Sequence, residues 1–217
     1  MSLFRFSVAI LFLAAIAGCS TSGSARAERR AESMKEYRAG LEKGSQQIDT
    51  TVKALDDLVA AAAADPRPAF KNFQAQLAIL DDDATDAAAR SEALRARTAE
   101  YLDKWEEEAL SGVKNPQLAK ISEERRAEIR KKFEGMREEA QTTRDLYRQF
   151  SRNLHEIEQT LQNDLNASGI DAVKPVIREA KVQGKKAQAG IASVLTELKK
   201  VQDAMVPAGT PPGAAGT

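Results

Sequence analysis

IDAVKPVIREAKVQGKKAQAGIASVLTELKKVQDAM, residues 170–205, decides the architecture. Its apolar and small residues fall at Ile170, Val173, Ile177, Ala180, Gly184, Ala187, Ile191, Val194, Leu198, Val201 and Met205, in alternating steps of three and four. Steps of that size return to one narrow face of a helix turn after turn, whereas a half-buried strand would alternate every second residue. The stretch therefore predicts a long helix that packs along a seam, as the helices of coiled coils and bundles do.

Working back through the chain, three more stripes of the same kind appear. The first carries Met34, Tyr37, Leu41, Gly44, Ile48, Thr51, Leu55, Leu58 and Ala62, and stops at Asp65-Pro66-Arg67-Pro68, a strong breaker. The second carries Phe70, Phe73, Leu77, Leu80, Ala84, Ala87, Ser91, Leu94, Thr98, Tyr101 and Trp105, and ends near Ser111-Gly112, where a glycine in the left-handed conformation is expected to close the helix. Asn115-Pro116 restarts it with a capping residue and a proline in the first turn. The third stripe then runs from Leu118 and Ile121 through Ile129, Phe133, Met136, Ala140, Thr143, Tyr147, Phe150, Leu154, Ile157 and Leu161 to Leu165. Arg125 falls on a seam position in it, which predicts a stutter in the supercoil. Asn166-Ala167-Ser168-Gly169 is read as the last break.

No segment alternates with the period of a strand, so the fold class is all-α: an elongated antiparallel up-down bundle, or coiled coil, of four long helices. Short connections force neighbouring helices to run antiparallel. Composition agrees. The 217 residues include 38 alanines, 42% hydrophobic residues and only 5% aromatic ones, which suits rods touching along thin seams better than a thick core. Lys plus Arg number 32 and Asp plus Glu 32, a net charge of zero that argues against nucleic acid as a partner.

Antiparallel pairing at equal rise per residue fixes which residues share a height. Met34 comes level with about residue 96 and Ala25 with about residue 105, while Met205 comes level with about Ile129. The hairpin tip from about Tyr101 to Arg126 then projects past the fourth helix, leaving Tyr101, Trp105, Leu110, Val113, Leu118 and Ile121 only partly covered. That tip is the candidate interaction surface for a protein partner, a second copy of the chain or the membrane interface. In the alternative reading Trp105 packs on Leu118 and Ile121 inside the hairpin. Small seam residues also gather near mid-height: Gly44, Ala84, Ala87, Ser91, Ala140, Gly184 and Ala187. They permit close helix approach or an internal gap, and close approach is the expectation.

Residues 1–18, MSLFRFSVAILFLAAIAG, combine one basic residue with an apolar run from Phe6 to Ala17 that is short for a bilayer span, which reads as an export signal. The run leads directly into the sole cysteine through Ile16-Ala17-Gly18-Cys19, the arrangement of a bacterial lipobox, so Cys19 is the expected lipidation site and the membrane the expected partner through that anchor. Several acyl chains on one residue anchor firmly, because each buried CH2 contributes ~0.8 kcal/mol. Ser20 stands where an Asp would favour inner-membrane retention, pointing to an outer membrane lipoprotein that faces the periplasm. Residues 19–30 read as a tether, 31–205 as the bundle domain, and 206–217 (VPAGTPPGAAGT) as a disordered tail.

Chemistry-bearing constellations are few. Asp81-Asp82-Asp83 and Glu106-Glu107-Glu108 occupy consecutive helix positions that diverge, so both read as solvated faces and not as metal sites. A di-iron bundle needs Glu-x-x-His pairs, but the only histidine, His155, follows Arg152 at that spacing and reads as a boundary residue. No nucleophile elbow or phosphate-cradling glycine loop is present, so neither a catalytic residue nor a cofactor is expected.

Lys104-Trp105-Glu106-Glu107-Glu108, Asn115-Pro116-Gln117-Leu118, Ser122 with Arg125-Arg126, Tyr147-Arg148-Gln149-Phe150 and Asp164-Leu165-Asn166-Ala167 together resemble the bacterial proteins grouped as domain of unknown function 2959. The likeness covers about residues 30 to 205. It implies a helical, export-associated protein whose recognisable features are the central hairpin tip and the turn at Asn166, and it supplies no catalytic residue. The functional expectation is a lipid-anchored, non-enzymatic interaction or scaffold element of the envelope. The alternative is a carrier that holds a lipid or other apolar ligand in the bundle core.

Overall fold

The computed structural model describes residues 23–205. Cys19, the signal 1–18 and the tail 206–217 lie outside the described residues. Four helices account for nearly all of the described chain: α1 (Gly23–Ala60), α2 (Arg67–Gly112), α3 (Pro116–Asn163) and α4 (Ala167–Met205), with a single 3-10 turn at Ala61–Ala63. Among the described residues there is no strand. At 1.5 Å per residue α2 and α3 extend ~69 Å and ~72 Å, so the all-α bundle is rod-like as expected.

The helix ends follow local chemistry. Asn115 caps α3 by accepting the Gln117 N–H at 2.9 Å, with Pro116 in the first turn. Asn166 caps α4 in the same manner, its side-chain oxygen accepting the Gly169 N–H at 2.9 Å. Gly169 thus belongs to the first turn of α4, and the break is the shorter Asp164–Asn166 link. α2 closes without a left-handed residue, because Val113 after Gly112 is extended (φ −95°, ψ 98°).

The buried residues reproduce the stripes closely. Leu55, Leu58, Phe73, Phe150, Leu154, Ile157, Leu161, Val194 and Leu198 are wholly covered. Burying each such side chain contributes about 1.5–3 kcal/mol, offset by the entropy lost in ordering it. On α3 the buried positions recur every seven residues from Phe150 through Thr143 and Met136 to Ile129, then Arg126, with half-buried Tyr147, Ala140 and Phe133 between them. The seam is held by Arg126, not by Arg125. Arg125 is half-buried beside it and donates to the Ala204 carbonyl, so a long cation covers the end of α4.

α1 packs along α2 and α3 along α4, and the two hairpins join mainly through α1 and α4; of the neighbouring pairs α2 and α3 meet least. The expected register holds. The Arg30 guanidinium lies 3.8 Å from the Tyr101 ring centroid, and Met205 packs with Ile129. That stacking corrects the reading of 19–30 as a tether, since α1 already begins at Gly23 and Arg30 is buried. A guanidinium desolvated over an aromatic face gains from the ring quadrupole, which favours continuing the helix back to this point.

Pro175 sits inside α4 on its exposed face. It removes one backbone hydrogen bond, so Pro175→Ala is expected to raise stability by about 2 kcal/mol, the ~3 kcal/mol helix penalty less ~1 kcal/mol of unfolded-state entropy. Urea denaturation monitored by circular dichroism checks this.

Candidate functional site

Two places stand out, the hairpin tip and the waist. At the tip Tyr101 and Trp105 are half-buried, with ring centroids 5.7 Å apart, and they pack with Leu102, Ile129, Ala204 and Met205. Trp105 is therefore gathered in by the end of α4, while Leu118 and Ile121 stay largely exposed. Leu102 takes the seam position assigned to Tyr101; the steps Leu94, Thr98, Leu102 were the signal for it. Further out Leu110 is 79% exposed, Leu118 56% and Ile121 61%, while Val113 is half-buried. The tip is under-covered, and Leu110, Leu118 and Ile121 are its exposed apolar side chains.

At the waist the α2 seam between Leu80 and Leu94 is made of Asp83, Ala84, Ala87 and Ser91. α1 presents Gly40 and Gly44 at this height, and α3 presents Ala140 and Thr143. Large side chains hold the helices apart below, at Ile48, Leu80 and Phe150, and above, at Leu94 and Met136. Small residues between those layers cannot fill the span. The result is a cavity of about 500 Å³ lined by all four helices, including Tyr37, Leu41, Gly44, Ile48, Ala84, Ala87, Ser91, Ala140, Tyr147, Ile191 and Val194.

The expectation of close approach is thus overturned for Gly44, Ala84, Ala87, Ser91 and Ala140. A β-carbon on Gly44 would meet open space. It holds on α4, where a β-carbon on Gly184 would come within 3.2 Å of both Ile48 and Phe150, and Ala187 is buried.

The cavity walls are mostly apolar, with charge at the rim from Asp81, Arg144 and Arg148. One edge is closed where the Tyr147 hydroxyl donates to the Leu80 carbonyl at 3.2 Å. Beyond that edge His155 Nε2 meets Asp81 at 3.1 Å and Gln74 donates to Glu158 at 3.0 Å, tying α2 to α3. At the far end Arg130 approaches Glu106 at 3.8 Å. His155 is half-exposed, as its boundary position implied.

Asp83 corrects the reading of the aspartate run as a solvated face. It is only 6% exposed; Lys43 Nζ reaches its Oδ1 at 2.6 Å, and its buried Oδ2 has no partner. Thr143, 7% exposed, likewise has a buried Oγ1 without a partner. Leu80 plus three residues marks Asp83 as a seam position, a signal masked by its two acidic neighbours. Among the described residues no three His, Cys, Asp or Glu side chains are grouped as a metal site requires, and no helix is long and apolar enough to cross a membrane.

Burial raises the pKa of both cavity phenols, Tyr37 and Tyr147. In Tyr147 the nearby Asp81 and Asp83 raise it further. Below the unfolded value of about 10 both states carry the proton and the stabilisation is complete. Above it the unfolded chain ionises first, so stability falls as pH rises through and beyond about 10. Absorbance at the tyrosinate band should therefore rise later in the folded protein than in the urea-unfolded chain. Coincident titrations would contradict buried phenols.

No protein-family model matches the chain, and neither a curated protein nor a solved structure matches it.

Proposed function

We propose that this protein is a lipid-anchored, non-enzymatic binding protein of the bacterial envelope that carries an apolar small molecule in the waist cavity. The observation that carries the reading is the cavity itself: about 500 Å³ of space bordered by four helices and partly open to solvent, within the roughly 300–1,000 Å³ of small-molecule sites. A cleft of that size with mostly apolar walls exposes them to water, and an apolar guest that displaces the water gains their burial. The lipobox at Cys19 and the resemblance to exported helical proteins support the anchor, with the outer membrane, periplasmic side, as the address.

Ala84→Leu with Ala87→Leu tests it. Leucine keeps helix propensity high and fills the space from α2 without touching the outer face. Lipid extraction of the natively purified protein should find a stoichiometric apolar guest in the unaltered chain and at least about tenfold less in the double variant. Equal amounts in both, or none in either, would end the carrier reading.

A second reading, an interaction or scaffold element, rests on Leu110, Leu118 and Ile121 exposed at the hairpin tip. It expects in-cell cross-links through residues 101–126 to one recurrent protein, lost when all three are changed to serine.

A further inference from the structure

Two residues that line the cavity each carry a buried, unpaired oxygen, and their chemistry restricts the guest. Asp83 and Thr143 both line the space, both are more than nine-tenths buried, and Asp83 Oδ2 and Thr143 Oγ1 have no hydrogen-bond partner. A buried oxygen left unpaired costs roughly 1–3 kcal/mol, so a site that keeps two of them gains when something pairs them. Asp83 stands on α2 and Thr143 on α3, where the Thr143 Oγ1 lies against α4, 2.6 Å from where a β-carbon on Gly190 would sit, so a guest reaches it at the edge of the space. The Asp83 carboxylate already shares its other oxygen with Lys43.

The charge around the space is mixed. Asp81 and Asp83 face Arg144, Arg148 and the Lys43 ammonium. A carboxylate head would meet the unpaired Asp83 oxygen with like charge. A quaternary ammonium has no N–H to give it. A neutral hydroxyl or amide N–H satisfies the acceptor without adding charge, and a hydroxyl can also pair with Thr143.

Resting on the carrier reading, we propose that the waist binds a neutral single-chain amphiphile with its hydroxyl- or amide-bearing head at Asp83 and Thr143 and its chain among the small residues. Calorimetric titration of the purified full chain with dodecanol, dodecanoate and dodecyltrimethylammonium, equal in chain length and kept below their micelle-forming concentrations, tests it. Dodecanol should bind at least about fivefold more tightly than either charged probe.

Thr143→Val, which keeps the shape and removes the hydroxyl, should weaken dodecanol about two- to tenfold, the span of one neutral hydrogen bond, and leave dodecanoate unchanged. Asp83→Asn should shrink the discrimination against dodecanoate. If Asp83→Asn does not fold, the probe series and Thr143→Val decide alone.

Equal affinity for all three probes, or preference for a charged one, would overturn the head-group assignment while leaving the cavity reading intact, provided Ala84→Leu/Ala87→Leu abolishes binding. No heat with any probe, in unaltered chain and double variant alike, would overturn both.

Discussion

Gly169→Ala is expected to lower stability by about 3 kcal/mol, of which overpacking contributes about 2 and loss of the Asn166 cap about 1. A β-carbon at this position would lie 2.0 Å from the Asp164 carbonyl oxygen. The same oxygen accepts the Asn166 N–H at 3.1 Å, and Asn166 in turn holds the Gly169 N–H. The clashing atom is backbone and not a flexible side-chain end, so the link between α3 and α4 must itself move. Gly135→Ala is the control. Gly135 is exposed within α3 and its β-carbon would meet nothing within 4 Å, so the same change there should stabilise by about 0.5–1 kcal/mol. Denaturant midpoints of the two variants on opposite sides of the unaltered protein bear out this account; a neutral Gly169→Ala would refute it.

Phe150→Ala should cost about 3–5 kcal/mol, the usual range for deleting a fully buried aromatic ring. The ring is wholly covered, meets Tyr147 edge-on at 6.4 Å between centroids, and lies against the bare backbone of Gly184. The helices cannot close the gap cheaply, because Ile48 and Gly184 are already in tight contact. Leu110→Ser with Leu118→Ser and Ile121→Ser should change stability by no more than about 0.5 kcal/mol per site, since exposed apolar atoms bury little area. A large loss in that triple variant would mean the tip is core, and would remove the interaction reading with it.

The seams were legible because each helix buries one narrow face, and a narrow face is written as a period. Met34 to Leu58, Phe70 to Leu80 and Ile170 to Val201 were each read correctly on that basis. The register was legible for a related reason, since equal rise and short links leave one way to align antiparallel rods, and Arg30 over Tyr101 lies within a residue or two of where that arithmetic puts it. Several buried residues escaped, Leu102 and Arg30 among them. Arg126 was passed over because a buried guanidinium breaks a hydrophobic pattern, and Asp83 because two exposed aspartates precede it.

The amino-acid sequence by itself determined an all-α chain, the four seams, their antiparallel order and a hairpin tip that outreaches its neighbours. All of these follow from periodicity and chain length, which are local or one-dimensional properties. Only the tertiary structure decided whether the small residues at mid-height would close together or stand apart. That outcome depends on the bulky layers above and below them: Ile48, Leu80 and Phe150 on one side and Leu94 and Met136 on the other fix the spacing of stiff helices. Stiff helices held at both ends cannot bow inward over a few residues, so the waist stays open, with Asp83 and Thr143 lining it.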